Sequence, residues 1–376
     1  ALRRAPRVSR RGLPMRRLGA RLSEVVLAMT NPKTALLLIN LGTPDSASTK
    51  DVRRYLREFL ADARVIDIPD LSRALRLILV ILPFRPRKSA EAYAKIFDER
   101  GSPLLYHSQD LTGKVRRRLE ASGVEVELAM RYGNPSIASA LDSLQQRGVE
   151  RIVVFPLYPQ YATSTTGSTI EGLSQAVSAR WVTPYLQFTP AFYDHPAFVD
   201  AVAAQARPVL EGGSWDRVLF SFHGLPERHL HKGDATGAHC LRREDCCAEI
   251  SDVNSGCYRA QCVATMRALG ETLGLPEEER VLCFQSRLGR TPWIRPYAED
   301  VLAELAEQGV KRLAVLTPAF VADCLETIEE IGMRAREDWL RAGGEAFELI
   351  PCVNASDAWA DGVVKIAREH SRWLGE

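Results

Sequence analysis

The side chains best suited to chemistry in this sequence are one histidine and a row of carboxylates. His223 follows an apolar run that predicts a strand, and a histidine there can accept a proton near neutral pH. Asp323 stands at a predicted helix N-cap, and Glu326 and Glu330 are four residues apart on one helix face. Carboxylates in a row can carry protons or guide a hard cation. The alternatives are a structural hydrogen-bonding histidine and an ordinary solvated acidic face.

A second group of reactive side chains is a cluster of cysteines. Five of the eight cysteines fall within residues 240–262, namely Cys240, Cys246, Cys247, Cys257 and Cys262. Because no secretory signal is recognisable, such a cluster indicates a metal site rather than a disulfide framework. Cys283, Cys324 and Cys352 are isolated.

The elements that must position these residues follow from the alternation of apolar and amphipathic stretches after Thr34. Strands are predicted at 35–41, 124–130, 151–155, 185–189, 217–222, 281–285, 312–317 and 347–350. Helices are predicted at 51–60, 108–122, 136–147, 168–178, 196–210, 258–274, 297–308, 324–342 and 357–374. Strands that are apolar on both faces predict parallel sheets covered by helices on both sides.

The predicted fold class is therefore α/β, with two Rossmann-like domains. The predicted divisions are a basic extension outside the fold (1–33), a first α/β domain (34–184), a second α/β domain (185–345) with a Cys-rich insertion (234–262), and a C-terminal strand and helix (346–376). Packing of this last segment on the first domain is one option. Ligands of such folds bind at the carboxyl ends of the strands. Polar, aromatic and basic residues at these ends predict a large ligand with anionic groups, and no phosphate-binding glycine loop follows any strand.

Charge is distributed unevenly along the chain. Residues 1–28 contain eight arginines and a single acid, Glu24, and the rest of the chain carries more acidic than basic residues. The acidic remainder gives no reason to expect nucleic-acid binding. The basic start is either sequence upstream of a natural start at Met29 or a transit peptide. No apolar run approaches the length of a membrane-spanning helix.

Seven segments occur in an order that is specific when taken together. They are LLINLGTPDS (37–46), AYAKIFDERGSPL (92–104), MRYGNPSI (130–137), FPLYPQYATSTTGS (155–168), SFHGLPERH (221–229), FQSRLGRTPWIRPY (284–297) and PAFVADCLETIEEI (318–331). These segments resemble ferrochelatases, in particular those of Gram-negative bacteria. The resemblance implies a chelatase-like fold and a cytoplasmic enzyme, peripheral at the inner membrane, that inserts ferrous iron into protoporphyrin IX to give protohaem.

The resemblance also implies roles for particular residues. His223 would accept pyrrole protons with Glu326 as its acid/base partner, and Asp323 and Glu330 would line the path of the substrate Fe²⁺. Pocket and propionate positions match Arg85, Tyr93, Ser102, Arg131 and Tyr132, and ring contacts match Asn40, Trp293 and Phe320. Cys324 stands where many relatives have histidine. Residues 75–84 resemble a hydrophobic lip that contacts a membrane surface, and a buried helix end is the alternative.

For the cysteines, the resemblance implies a [2Fe–2S] cluster of the internal-insertion type. The implied ligands are Cys240, Cys247, Cys257 and Cys262, with Cys246 as the alternative to its neighbour. Zinc is the rival metal, because His229, His231 and His239 lie nearby in sequence. The cysteine spacing, however, lacks the paired knuckles of structural zinc sites.

Other functions stay open from sequence. One is a chelatase for another tetrapyrrole, such as coproporphyrin, or for cobalt. Another is a porphyrin or haem carrier without catalysis, against which the presence of both His223 and Glu326 argues. The sequence does not indicate an oligomeric state.

Overall fold

The computed structural model describes residues 32–289 and 291–375, so the predicted basic extension lies outside the described residues except for its last two positions. The first half is built on a four-stranded parallel sheet in the order β2-β1-β3-β4. Its strands are β1 (Thr34–Thr43), β2 (Glu125–Gly133), β3 (Arg151–Pro156) and β4 (Tyr185–Phe188). Residues 35–39 of β1 are buried on both faces, as expected for a strand between two helical layers.

Helices connect and cover these strands. They are α1 (Thr49–Ala61), α2 (Asp70–Arg76), α3 (Leu82–Ala94), α4 (Pro103–Leu119), α5 (Ile137–Gln146) and α6 (Ser168–Ser178). The amphipathic stretch predicted at 51–60 is α1, whose N-cap Ser48 accepts a hydrogen bond from the Asp51 amide. The apolar face of α1 packs Val52, Tyr55 and Leu56 into a cluster with Tyr93 and Tyr132.

The second half repeats the architecture with a parallel sheet in the order β6-β5-β7-β8. Its strands are β5 (Arg217–His223), β6 (Arg280–Gln285), β7 (Arg312–Leu316) and β8 (Ala346–Leu349). Its helices are α7 (Pro196–Gly212), α8 (Glu227–Gly233), α9 (Tyr258–Thr272), α10 (Ala298–Glu307), α11 (Arg336–Arg341) and α12 (Asp357–His370). The two parallel sheets, each covered by helices, confirm the predicted α/β class.

The division between the halves differs from the predicted one. Residues 185–188 form β4, which pairs with β3 and therefore belongs to the first sheet, although the sequence assigned them to the second domain. The difference arises because an apolar run predicts a strand but does not identify its partner. At the C-terminus, α12 packs against both α7 and α4, with Arg118 and Lys114 of α4 paired to Asp357.

Among the described residues, three segments form π-helix. This geometry is rare in proteins, and where it occurs it often lies at a functional site. They are Leu77–Ile81, which joins α2 to α3, Thr163–Gly167, which precedes α6, and Glu326–Ala335, which leads into α11. Within the described ranges, no helix is both long enough and apolar enough to cross a membrane.

Candidate functional site

His223 is the last residue of β5 and lies at the carboxyl end of the second sheet. Its Nδ1 is 2.6 Å from the Gly224 carbonyl oxygen. Since a carbonyl can only accept, Nδ1 carries the proton in the neutral ring and Nε2 is left as the basic nitrogen. The Tyr258 hydroxyl donates to the His223 carbonyl at 2.8 Å and ties the strand end to α9. The local structure therefore fixes both the tautomer and the position of the backbone.

Two aromatic rings flank this histidine. The ring centroids of Trp293 and Phe320 each lie 6.4 Å from that of His223. Trp293 is held by a hydrogen bond from its Nε1 to the Leu288 carbonyl at 3.0 Å. The arrangement gives the histidine a flat, largely apolar surround that suits a planar ligand.

Two carboxylates of the π-helical segment Glu326–Ala335, those of Glu326 and Glu330, lie near the same histidine. Both His223 and Glu326 influence the pKa of Glu330 through their charges, so the three groups lie close together. A π-helix turns more slowly than an α-helix, so Glu326 and Glu330, four residues apart, stay on nearly one face. The Gln285 side chain donates to the Glu326 carbonyl at 2.8 Å and anchors the segment to the end of β6.

Glu330 itself is held by Ser286. The Ser286 amide donates to one carboxylate oxygen at 2.8 Å, and its hydroxyl donates to the other at 2.6 Å. Burial raises the pKa of Glu330, and the neighbouring Glu326 adds to the effect, while Ser286 and His223 oppose it. A carboxyl with a raised pKa next to an ionisable histidine is suited to receiving and passing on protons.

We expect Glu330→Gln to change how stability depends on pH. A carboxyl with a raised pKa in the folded state stabilises the fold below its unfolded pKa of about 4.3. That contribution is lost as pH rises through the folded pKa. The variant should therefore gain melting temperature relative to the parent chain as pH rises from about 4 to about 8, measured by thermal denaturation. Parallel curves, like those expected for the exposed Glu337→Gln, would contradict this assignment.

The third carboxylate of the segment, Glu329, serves a different purpose. It is buried and paired with Lys95 at 3.0 Å and with Arg334 at 2.9 Å. Lys95 follows α3, so this ion pair links the first half of the chain to the second. The sequence analysis did not single out Glu329, because three glutamates in one segment do not reveal which of them is neutralised.

Asp323 is bound by its neighbours rather than directed at Glu330. Its Oδ2 accepts from the Asn354 side chain at 2.7 Å, and its Oδ1 accepts from the Cys352 amide at 3.3 Å and the Thr327 hydroxyl at 3.2 Å. Cys324 is buried, and burial raises the pKa of its thiol well above the usual value. The role of Asp323 on an iron path stays a prediction.

The predicted residues of the first half lie at the carboxyl end of the first sheet and on α3. Asn40 of β1 donates to the Ser108 hydroxyl at 3.1 Å, and Ser102 shares a hydrogen bond of 2.8 Å with Thr43. Arg85 lies close enough to Tyr93 and Glu326 for their charges to act on its guanidinium. Arg85 and Tyr93 therefore lie near Glu326 of the π-helical segment.

Arg131 and Tyr132 share one partner that the sequence analysis missed, Asp62. Its Oδ2 accepts from Arg131 at 2.7 Å, from the Tyr132 hydroxyl at 2.8 Å and from Ser168 at 2.6 Å. Its Oδ1 accepts from the Arg64 amide at 2.7 Å. The Arg131 guanidinium is thus already balanced by a carboxylate before any ligand binds.

The segment resembling a hydrophobic lip is exposed. Ile78, Leu79 and Phe84 have exposed fractions of 61%, 64% and 75%, and Leu77 alone of its π-helical segment is buried. These apolar side chains form a surface beside Arg85. Contact of this surface with a membrane stays a prediction.

In the Cys-rich segment, the five thiols are buried and adjoin one another. The Sγ atoms of Cys246 and Cys247 are 3.7 Å apart, and the Cys257 thiol interacts with those of both Cys240 and Cys247. Cys262 lies close enough for the Cys247 charge to affect its pKa. Among residues 32–289 and 291–375, no group of three or more His, Cys, Asp or Glu side chains is arranged to hold a metal ion. The thiols fit an iron–sulfur cluster in type and number, and binding would require them to converge.

Of the nearby histidines, His239 is hydrogen-bonded to the backbone of the Cys-rich segment, whereas neither ring nitrogen of the buried His229 has a hydrogen-bond partner among the described residues. His239 Nε2 is 3.1 Å from the Cys246 carbonyl, and His229 Nε2 is 3.2 Å from Asp67, which also binds Arg228 and Lys232. Burial raises the pKa of the Cys240, Cys246 and Cys262 thiols, and the Cys257 thiol raises that of Cys247. A metal would have to displace those protons to bind.

Comparisons with known proteins agree with the geometry. The family described as Ferrochelatase matches residues 33–371. Ferrochelatase of Stutzerimonas stutzeri is 48% identical over 333 residues, covering 88% of this chain and 96% of that protein. Ferrochelatase of Ectopseudomonas mendocina is 50% identical over 326 residues, covering 86% and 94%. Ferrochelatase of Coxiella burnetii is 44% identical over 347 residues, covering 92% and 96%.

Among solved structures, SirB from Bacillus subtilis with Fe³⁺ aligns with a TM-score of 0.50 at 13% identity, covering 92% of this chain and 98% of that one. At that identity the likeness shows the fold alone, and it agrees with the two-sheet architecture. The match over nearly all of the described chain, together with relatives at 44–50% identity, confirms the resemblance drawn from the seven segments. This chain belongs to the ferrochelatase family.

Proposed function

We propose that this chain inserts Fe²⁺ into protoporphyrin IX and releases protohaem. The observation that carries the proposal is that Glu330 lies within electrostatic range of both His223 and Glu326, while the rings of Trp293 and Phe320 each lie 6.4 Å from that of His223. Family membership supports the same reaction. The site thus combines a proton acceptor, acidic groups and flat apolar walls.

The chemistry requires two protons to leave the ring as the metal enters. Each pyrrole N–H bond that breaks leaves its electron pair on nitrogen, and Fe²⁺ replaces the two protons without any change of oxidation state. Nε2 of His223 takes a proton, because Nδ1 is committed to the Gly224 carbonyl. Glu326 is its acid/base partner, and Glu330 relays protons or cations along the π-helical face.

The remaining residues hold the macrocycle. Asn40, Trp293 and Phe320 contact the ring, and an aromatic wall on one side favours a non-planar ring whose nitrogen lone pairs are exposed. Arg85 and Arg131 meet the propionates, and Tyr93, Ser102 and Tyr132 line the pocket. Because Asp62 already holds Arg131, that guanidinium offers a fixed rather than a mobile contact.

The function is tested by adding protoporphyrin IX and Fe²⁺ to the purified protein without oxygen. Conversion of the porphyrin absorption spectrum to that of haem is the expected result. Faster turnover of coproporphyrin, or of Co²⁺ in place of Fe²⁺, would support a chelatase for a different pair. Tight porphyrin binding with no conversion would identify a carrier, and either outcome would overturn the proposal.

We propose separately that the Cys-rich segment holds a [2Fe–2S] cluster. The ligands are Cys240, Cys247, Cys257 and Cys262. Cys246 is the alternative ligand to its neighbour Cys247. An all-sulfur donor set, with the nearby His239 bound to the Cys246 carbonyl, supports iron–sulfur over zinc. Such a cluster supplies reversible one-electron chemistry, which metal insertion does not use, so its role is structural or regulatory.

We expect the purified protein to contain iron and acid-labile sulfide and to absorb broadly in the visible range until dithionite bleaches it. Cys257→Ser should remove the absorption, since its thiol adjoins two others. The matched control is Cys283→Ser, an isolated buried cysteine of β6. Zinc without sulfide in the metal analysis, or a fully active protein without metal, would contradict the cluster.

A further inference from the structure

A second concave site lies beside the Cys-rich segment, apart from the residues assigned to the porphyrin. It is an open cavity of about 340 Å³ lined by Arg242, Arg243, Arg259 and Arg295, together with Glu227 and Glu244. That volume falls in the range of small-molecule sites. None of these residues takes part in the iron-insertion chemistry proposed above.

The charge of the cavity is unbalanced. Four guanidinium groups face two carboxylates, and only Arg243 is paired, with Asp245 at 3.0 Å. In the part of the chain that the structure describes, no carboxylate lies within 4.0 Å of the guanidinium groups of Arg242, Arg259 or Arg295. Clustered arginines repel one another unless an anion joins them, so this lining favours a negatively charged occupant.

Two of the four arginines are oriented by contacts within the protein. The Arg295 guanidinium stacks on the Tyr297 ring at 4.6 Å, and Arg259 Nε donates to the Arg295 carbonyl at 3.4 Å. Arg259 is in the first turn of α9, whose positive dipole end adds to the field.

A strained turn presents the other two arginines. Leu241, directly before Arg242 and Arg243, has a φ of 57°, a left-handed conformation that a leucine rarely adopts. Such strain persists only where surrounding contacts impose it, and it is found at ligand-binding positions. Leu241 itself lines the cavity.

We propose that this cavity binds a small polyanion whose charged oxygens are closely spaced, such as a polycarboxylate or a di- or triphosphate group. Planar guanidinium forks pair two-to-two with carboxylate or phosphate oxygens, and several forks around one cavity select a ligand with several such groups. Cys246 also lines the cavity, so a bound anion lies next to the cysteine group.

The test is isothermal titration calorimetry on the full chain, with pyrophosphate and with citrate as probes at matched ionic strength. We expect saturable binding that Arg242→Gln and Arg295→Gln each weaken by about tenfold or more, since each removes a charged hydrogen-bonding group. Arg295→Lys keeps the charge and should retain part of the affinity. Arg341→Gln, which removes an exposed arginine paired with Asp338 on α11, is the matched control and should bind as the parent chain does.

Several results would overturn the proposal. One is that neither probe binds more tightly than chloride. Another is that all four variants bind the probe with equal affinity. Binding that protoporphyrin abolishes would assign the probe to the porphyrin site instead. A melting curve for each variant shows whether it is folded. If a glutamine variant does not fold, the affinity of Arg295→Lys is compared with that of the parent chain instead. This proposal stands or falls independently of iron insertion, because the binding measurement does not require turnover.

Discussion

Replacement of His223 by alanine is expected to lower the rate of iron insertion by about 10²–10⁴-fold, the usual contribution of a general base. Because Nδ1 of His223 donates to the Gly224 carbonyl, Nε2 is the basic nitrogen that the end of β5 offers to the site. Porphyrin affinity should change little, because Trp293 and Phe320 supply the flat walls. Single-turnover spectra in anaerobic solution measure the rate, and porphyrin fluorescence quenching measures the affinity.

The matched control is His370→Ala, which removes an exposed histidine at the end of α12 and should leave the rate unchanged. A His223→Ala protein that converts porphyrin at the parent rate would remove this residue from the mechanism. If rate and affinity instead fall together, His223 acts by holding the porphyrin. Glu326→Gln should then be tested alone, since a partner in proton transfer also lowers the rate and not the affinity.

The sheets could be predicted from sequence because their strands are buried on both faces. Runs such as 151–155 and 312–317 correspond to β3 and β7 within a residue, since continuous apolar segments have few alternatives in an α/β chain. The polar residues that follow these strands predicted the location of the site, because ligands of parallel α/β sheets bind at the carboxyl ends of the strands. Which sheet β4 joins depends on pairing with β3, and no local pattern encodes it.

Other features depend on contacts between distant residues. The helices α2 and α3 were not predicted: several of their apolar side chains, Leu71, Leu75 and Phe84, are exposed, and Pro86 lies inside α3. The segment Glu326–Ala335 was predicted as an ordinary helix, and its wider turn is not marked by any residue type. Asp62 follows the end of α1 in a loop that also contains Asp67, and its partners Arg131, Tyr132 and Ser168 are 69, 70 and 106 residues away.

That long-range network carries the second large effect. We expect Asp62→Ala to lower the free energy of unfolding by about 3–5 kcal/mol, the range for removing one partner of a buried ion pair. The Asp62 side chain is 8% exposed, and its loss leaves Arg131 without a counter-charge while Tyr132 and Ser168 lose an acceptor. Urea denaturation measures the change, and a weaker porphyrin affinity should accompany it, since Arg131 and Tyr132 lose their common anchor.

Asp357→Ala is the matched control, because Asp357 pairs with Lys114 and Arg118 while largely exposed, and exposed pairs contribute about 1 kcal/mol or less. Asp62→Asn separates charge from hydrogen bonding, since the amide keeps one acceptor oxygen but cannot balance Arg131. If the network stabilises mainly through charge, the asparagine variant should be nearly as unstable as the alanine variant. Equal stability of the Asp62 and Asp357 variants would mean that Arg131 finds another partner or water, and its fixed orientation towards the propionates would then have no structural basis.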